Sequence, residues 1–313
     1  MKINIFIGVL LLSHHFFAQN KPIYTFRNST WFESNLSFHI SRNERFQGQI
    51  DVQYRRNSDA SYIVNGSKNP FKNESQQIIR PWLHYWLIPK KLQISLSPFA
   101  YWSNHLSTYD SEIYKPTIGS NGTYGSTHFA EIRITPQIMH IHQFSKFEIY
   151  NRVRYEFRFL GQRKLNNSNS DEMLDGLDIS ANQAKMNDSS GISQSQRLRY
   201  QFRIKIPLNE LDSKRQFYIN TWNELFFSYG KYVSKNKFFN QNRFAILLGC
   251  KFSKNLPIKL EIGMTEQISF LKNISHPPTQ PIAVNYYKRN IELNSALTFY
   301  LILENLDFFK KKN

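Results

Sequence analysis

Two segments of the sequence, 146–159 and 197–206, place charged or polar residues at every second position, with basic residues predominating. This spacing puts them on one face of an extended strand. If the two strands are neighbours, their cations form one basic wall that attracts anions. The predicted wall consists of Arg152, Arg154, Arg158, Arg197, Arg199, Arg203 and Lys205, and its predicted acidic partners are Glu131, Glu148, Glu156 and Glu224.

Such a wall allows two functional interpretations. If the strands close into a barrel with an open lumen, the wall would line a narrow channel that prefers small anionic solutes. In a closed lumen, the long Arg and Lys side chains would pair with the carboxylates and fill the space, so that the wall serves only the fold. The pattern favours the closed lumen and leaves the channel as an alternative.

The residues that could catalyse a reaction are few. A hydrolase acting on envelope lipids needs a nucleophilic serine with a histidine in hydrogen-bond reach. The nearest candidate is Ser103, which precedes His105 by two residues and lacks the arrangement of the known outer-membrane lipid hydrolases. We therefore assign no catalytic residue and expect no enzyme, with an envelope-lipid hydrolase kept as an alternative.

Histidines are the candidate metal ligands in this sequence. His140 and His142 lie two residues apart, a spacing that could chelate a metal, but no Cys or carboxylate stands at ligand spacing beside them. His84 is equally isolated, and Cys250 occupies an apolar position of a strand pattern. We expect these histidines near turns or in an aromatic girdle, and we expect neither metal nor cofactor.

The elements that position these residues are long strands of alternating apolar and polar residues. Alternation over 10 or more residues exceeds the ~5–6 residues of an ordinary soluble strand and suits a membrane-crossing strand. An aromatic content of 15% fits girdles at the two membrane interfaces. The eleven candidate strands are 30–40, 45–55, 77–87, 92–103, 128–142, 146–159, 197–206, 216–229, 241–252, 257–270 and 290–303.

Connections between these strands alternate between short and long, as in outer-membrane barrels, whose short turns face the periplasm. Under that sidedness the first and last candidate strands run in the same direction, so that one crossing is missing. Residues 20–28 are the candidate for it. The sequence thus predicts an all-β, transmembrane, antiparallel up-and-down barrel of about twelve strands, with ten as the fallback.

The N-terminus predicts export. Lys2 and the apolar run at 3–12 are typical of a signal peptide, with cleavage expected after Ala18. The predicted domains are therefore a signal peptide at 1–18 and an outer-membrane barrel at 19–313. A net charge of +17 would otherwise suggest nucleic acid as a partner, which export argues against. No later stretch has the ~20 apolar residues of a helical membrane span.

Three segments carry a family resemblance: 151–159 (NRVRYEFRF), 197–208 (RLRYQFRIKIPL) and 240–256 (NQNRFAILLGCKFSKNL). Together with Trp31 and the strand ending at Arg55 and Arg56, they resemble the DUF2490 family over roughly 29–303. The resemblance implies an outer-membrane barrel without an established activity. The expected partners are outer-membrane lipid, the barrel-assembly machinery and small anionic solutes, with the protein a monomer and no nucleic acid bound. A surface-loop adhesion or binding protein is a further alternative.

Overall fold

The alternating segments form one closed β-barrel in the computed structural model. It describes residues 23–41, 44–58, 61, 67–106, 127–161, 192–210, 215–229, 238–252, 257–270 and 289–306, which contain no helix. No helix that is long and apolar enough to cross a bilayer therefore occurs within these ranges. The strands are β1 (Ile23–His39), β2 (Phe46–Asn57), β3 (Asn73–Ile88), β4 (Leu92–Leu106), β5 (Thr127–Gln143), β6 (Glu148–Gly161), β7 (Ile192–Pro207), β8 (Gln216–Tyr229), β9 (Phe239–Lys251), β10 (Ile258–Phe270) and β11 (Arg289–Leu306).

Closure of the barrel corrects the predicted strand count and topology. Each strand pairs with its sequence neighbours in antiparallel fashion, but β1 pairs with β11 in parallel, from Ile23 beside Arg289 to Phe38 beside Leu306. The described strands number eleven, so the predictions of twelve strands or ten, and of a fully antiparallel sheet, were wrong. Both closing strands run towards the same end of the barrel, and an odd number of strands can close only through such a parallel pair.

The segment predicted to form the missing crossing is part of the first strand. Residues 23–28 are the beginning of β1, which continues without interruption to His39. The chain therefore enters the barrel at the end where the long connections lie. The predicted signal peptide at 1–18 and most residues of the long connections lie outside the described residues.

Alternation along each strand divides the barrel into an outer and an inner face. On β2, Ile50 and Val52 are exposed on the outside, while Asp51 and Gln53 are buried inside. The same division recurs around the barrel, because the side-chain period of a strand is two. The outside is apolar and the interior is polar and charged, the reverse of a water-soluble barrel.

Two glycines permit close packing in the wall formed by β8, β9 and β10. A Cβ at Gly249 would lie 2.2 Å from the ring of Tyr218. A Cβ at Gly263 would lie 2.0 Å from the backbone oxygen of Ile246 and 2.7 Å from the Cα of Leu247. The backbones of β9 and β10 must therefore separate locally to admit any side chain at position 263.

We expect Gly263→Ala to lower the free energy of unfolding by ~1–3 kcal/mol, the usual cost of overpacking. The new methyl group meets backbone atoms, which cannot turn aside as a flexible side chain can. Urea unfolding of the refolded barrel measures this change. A midpoint equal to that of the unsubstituted chain would contradict the close contact.

Candidate functional site

Glu131 on β5 anchors one end of an ion-pair network inside the barrel. Its Oε1 lies 2.6 Å from Arg133 Nε and 2.6 Å from Arg158 Nε. Arg133 follows two residues later on the same strand, and Arg158 stands on the neighbouring β6. The carboxylate is 1% exposed, so its charge is balanced by these two guanidinium groups rather than by water.

Glu156 on β6 is the centre of the network. Three arginines reach it: Arg199 Nη1 at 2.6 Å, Arg197 Nη2 at 2.7 Å and Arg133 Nη1 at 3.3 Å. Because Arg133 also binds Glu131, the two carboxylates share one guanidinium group. Strands β5, β6 and β7 are thereby cross-linked on their inner faces.

Glu224 on β8 extends the network to a fourth strand. Its Oε2 lies 2.7 Å from Arg199 Nη2, and its Oε1 lies 3.5 Å from Arg152 Nη2. Arg199 therefore bridges Glu156 and Glu224. The continuous network comprises the carboxylates Glu131, Glu156 and Glu224 and the arginines Arg133, Arg152, Arg158, Arg197 and Arg199.

A second cluster occupies the inner faces of β2 and β3. Asp51 Oδ2 accepts hydrogen bonds from Arg80 Nε at 3.0 Å, Arg80 Nη2 at 2.8 Å and Trp82 Nε1 at 2.8 Å. The amide of Gln49 donates to the other carboxylate oxygen. Hydrogen bonds from Gln49, Arg80 and Trp82 thus hold Asp51, and they also fix Arg80 and Trp82 in place.

Aromatic rings fill the space between the charged groups and stack on guanidinium planes. The Phe226 ring is 0% exposed and lies within 4.7–5.1 Å of the guanidinium carbons of Arg197, Arg199 and Arg243. The guanidinium of Arg133 lies 3.4 Å from the ring centroid of Trp102. Trp102 is therefore a buried interior residue, whereas its neighbour Tyr101 lies on the outer face.

Contacts of this kind also cross the interior between strands that are not neighbours. Arg154 on β6 lies 4.8 Å from the ring centroid of Trp82 on β3. Arg243 on β9 lies 5.3 Å from the ring centroid of Trp31 on β1. Cations on one side of the barrel thus reach aromatic rings on strands two or more positions away, and the middle of the barrel is filled by its own side chains.

The seven residues of the predicted basic wall all lie on the inner faces of β6 and β7, which are adjacent strands. Five of them reach a carboxylate, including Lys205, whose Nζ is 3.9 Å from Glu148 Oε2. Arg154 instead donates from Nε to Gln137 Oε1 and stacks on Trp82. Arg203 stacks on the ring of Tyr150 at 3.9 Å and has no ion pair with a described residue.

Several interior charges were missing from the predicted set. Arg80 and Asp51 form the second cluster, Arg133 joins two carboxylates, and Arg55 lies 4.3 Å from the ring centroid of Trp31. Strand parity could have found Arg133, which follows Glu131 by two residues and must share its face. The predicted basic residues came only from the segments 146–159 and 197–206.

The other candidate residues lie apart from this interior. Ser103 follows the inward-facing Trp102 and so belongs to the outer face, while the His105 side chain lies outside the described residues. His140 and His142 are on the outer face near a short turn, with ring centroids 4.1 Å apart. His84 is the exception, because it is buried inside, with Nδ1 2.7 Å from Ser95 Oγ; a girdle position was wrong for it.

Metal ligands do not cluster in the part of the chain that the structure describes. No group of three or more His, Cys, Asp or Glu residues there could hold a metal ion. Cys250 is half-buried on the outer face of β9. The interior therefore offers ion pairs, amides and aromatic rings as its chemistry, arranged around an excess of arginine.

A family model matches most of the chain. The family model described as "Protein of unknown function (DUF2490)" matches residues 28–274, which include most of β1, all of β2 to β10 and the whole ion-pair network. Among curated proteins, none matches the chain.

Proposed function

The chain belongs to the DUF2490 family of proteins of unknown function, and we propose that it is an integral barrel of the outer membrane of a Gram-negative bacterium. In this proposal the protein is exported by its N-terminal signal peptide. The barrel has a closed lumen and anchors the long connections at one membrane surface, where a binding or adhesive function would reside.

The distribution of apolar residues is the observation that carries this proposal. Large apolar side chains point outwards around the barrel and are 37–56% exposed. In water so large an apolar surface would promote aggregation, whereas in a bilayer it faces lipid. Examples from six strands are Ile50, Ile79, Ile94, Ile132, Ile246 and Ile262.

Strand length and aromatic placement support the same environment. The strands contain 12 to 18 residues, and at ~3.3 Å per residue even a tilted strand of 12 residues spans a hydrocarbon core of ~25–30 Å. Rings cluster at both ends of the barrel. Phe144 stacks on Phe147 at the short turn after β5, and Phe227, Phe238, Phe239 and Phe270 pack together at the opposite end.

The filled interior supports a closed lumen rather than a pore. The carboxylates and guanidinium groups of the network bind one another, and the aromatic rings occupy the space between them. An ion crossing the barrel would have to separate pairs such as Arg199 and Glu156 in a poorly hydrated interior, where unpaired charges are costly.

We therefore expect the purified, refolded protein to produce no ion-permeable steps in a planar bilayer. A refolded porin in the same bilayer serves as the positive control, and insertion is checked by protease protection. Repeated unitary openings of the protein would contradict the closed lumen.

A second candidate function, a narrow anion-preferring channel, is favoured by the excess of cations inside. Arg154 and Arg203 lack an ion pair with any described carboxylate. If the protein conducts, the openings should select anions, and Arg152→Glu combined with Arg199→Glu should reduce or reverse that selectivity. Openings with unchanged selectivity in this variant would exclude the basic wall as the selectivity filter.

A further inference from the structure

Interior side chains become more exposed towards the end of the barrel that carries the short turns. The side chain of Glu156 is 1% exposed, that of Arg152 is 19% exposed, and those of Lys205 and Glu148 are 27% and 30% exposed. The lumen is therefore filled in the middle and accessible to water at this end. We call this end of the interior the short-turn mouth and define it by Arg152, Arg203, Lys205, Lys259, Glu148, Glu261 and Glu304.

Arg203 is the cation in this mouth that no other described residue balances. It makes no hydrogen bond or ion pair with a described residue, and its Nε is buried without an acceptor. The Arg203 side chain is half-buried rather than fully enclosed. A guanidinium group without an acceptor loses interactions worth more than an ordinary hydrogen bond.

Tyr150 gives Arg203 a fixed orientation. The guanidinium carbon lies 3.9 Å from the ring centroid of Tyr150. The ring is held in turn, because the Tyr150 hydroxyl donates a hydrogen bond to Glu148 Oε2. A stacked guanidinium group presents its N–H donors edgewise, which is the geometry that binds a planar or tetrahedral oxyanion.

Two further cations stand beside Arg203. Arg152 lies one step away on the adjacent strand, since its pairing partner is Gln201 and that of Arg203 is Tyr150. Its Nε is also buried without an acceptor among the described residues, and the one described carboxylate that it approaches is Glu224, at 3.5 Å. Lys205 follows Arg203 by two residues on the same face, and its 3.9 Å approach to Glu148 is at the limit of an ion pair.

The carboxylates of the mouth are engaged elsewhere. Glu148 accepts the hydrogen bond from Tyr150, and Glu304 pairs with Lys259. Glu261 accepts hydrogen bonds from Tyr218 Oη at 2.9 Å and from the amide of Asn220. The carboxylates of the mouth therefore have partners, whereas the guanidinium group of Arg203 has no acceptor among the described residues.

We propose that the short-turn mouth binds a small oxyanion, a phosphate or a carboxylate, through Arg203. Arg152 and Lys205 add positive charge, and the Tyr150 ring forms one wall of the site. This inference goes beyond the proposed anchoring function and holds for a closed barrel, because the ligand enters from the short-turn side and does not cross the lumen.

Isothermal titration of the refolded full-length mature chain in detergent, at constant chloride, tests the proposal. Inorganic phosphate and acetate are titrated separately. We expect saturable binding at one site per barrel for at least one of them, and Arg203→Gln should weaken it about tenfold or more. Binding of phosphate alone identifies phosphate as the ligand chemistry, and binding of both identifies a general oxyanion site.

Lys146→Gln is the matched control, because it removes one positive charge from an exposed turn at the same end of the barrel. It should bind as the unsubstituted chain does. Absence of saturable binding with both anions would overturn the proposal, as would equal weakening by Lys146→Gln and Arg203→Gln. If Arg203→Gln fails to refold, Arg203→Lys, which keeps the charge but loses the forked donors, replaces it and should also bind more weakly.

Discussion

Replacing Glu156 with alanine is expected to lower the free energy of unfolding of the refolded barrel by about 3–5 kcal/mol. Glu156 is 1% exposed and is the common partner of Arg133, Arg197 and Arg199. Removing it leaves three buried guanidinium groups with one carboxylate fewer, and the loss of a partner costs far more than the pair itself contributes. Equilibrium urea unfolding in lipid vesicles measures the change.

Two variants make that result interpretable. Glu210→Ala removes the same carboxylate from an exposed turn and should change the free energy of unfolding by less than about 0.5 kcal/mol. The double variant Glu156→Ala, Arg197→Met should recover part of the loss, because it removes one of the uncompensated cations. A cost below about 1 kcal/mol for Glu156→Ala would mean that water reaches these arginines and that the lumen is open.

Ile246→Arg is expected to destabilise the barrel by about 2–4 kcal/mol in lipid vesicles. Ile246 is 53% exposed on the outer face in the middle of β9, beside Met264 of β10 and Thr221 of β8. If this face meets hydrocarbon, the guanidinium group must either enter lipid or distort the bilayer. In a water-soluble barrel the same exposed substitution would change stability by only about 0.5 kcal/mol.

A substitution at the rim of the barrel, where the side chain would lie near the membrane surface, provides the control for this experiment. Leu208 is 53% exposed and lies one residue beyond the end of β7, at the short-turn rim. Leu208→Arg should cost only about 0–1 kcal/mol, because the penalty for a lipid-facing cation falls towards the interface. Equal, small effects at both positions would place the outer face in water and contradict a membrane location.

The outer and inner faces of the barrel were predictable from the sequence because strand parity is a local property. Once Ile50 and Val52 are placed outside, Asp51 and Gln53 must lie inside, and the structure has them there. β6 and β7 were predicted to be neighbours because consecutive strands pair in an up-and-down barrel, and they do pair. The approximate positions of the eleven strands followed from the alternation alone.

Closure of the barrel was not predictable in the same way. The residue pattern at 20–28 does not distinguish between a separate strand that crosses the membrane and an extension of the strand that follows. The prediction assumed that all pairs are antiparallel, which requires an even number of crossings. The parallel pairing of β1 with β11 satisfies the backbone of both strands without another crossing, and nothing local in either segment encodes that partner.

The interior aromatic residues were also difficult to predict from the sequence. Trp102 and Phe226 are large aromatic residues, and residue type alone does not tell an interior ring from one in an outer girdle. Inside, however, their rings cover the faces of Arg133 and Arg199, respectively, and so fill space that water would otherwise occupy. The sequence did carry a signal for the interior position: Phe226 follows Glu224 by two residues and must share its face of the strand. This spacing is a better guide to the face than the residue type is.

Heat-modifiable gel migration of fractionated cell envelopes tests the central claim most directly. A closed membrane barrel resists unfolding by detergent at room temperature. We therefore expect the protein in the outer-membrane fraction, with an unheated sample migrating faster than a boiled one. Recovery in the soluble fraction, or identical migration of heated and unheated samples, would contradict an outer-membrane barrel.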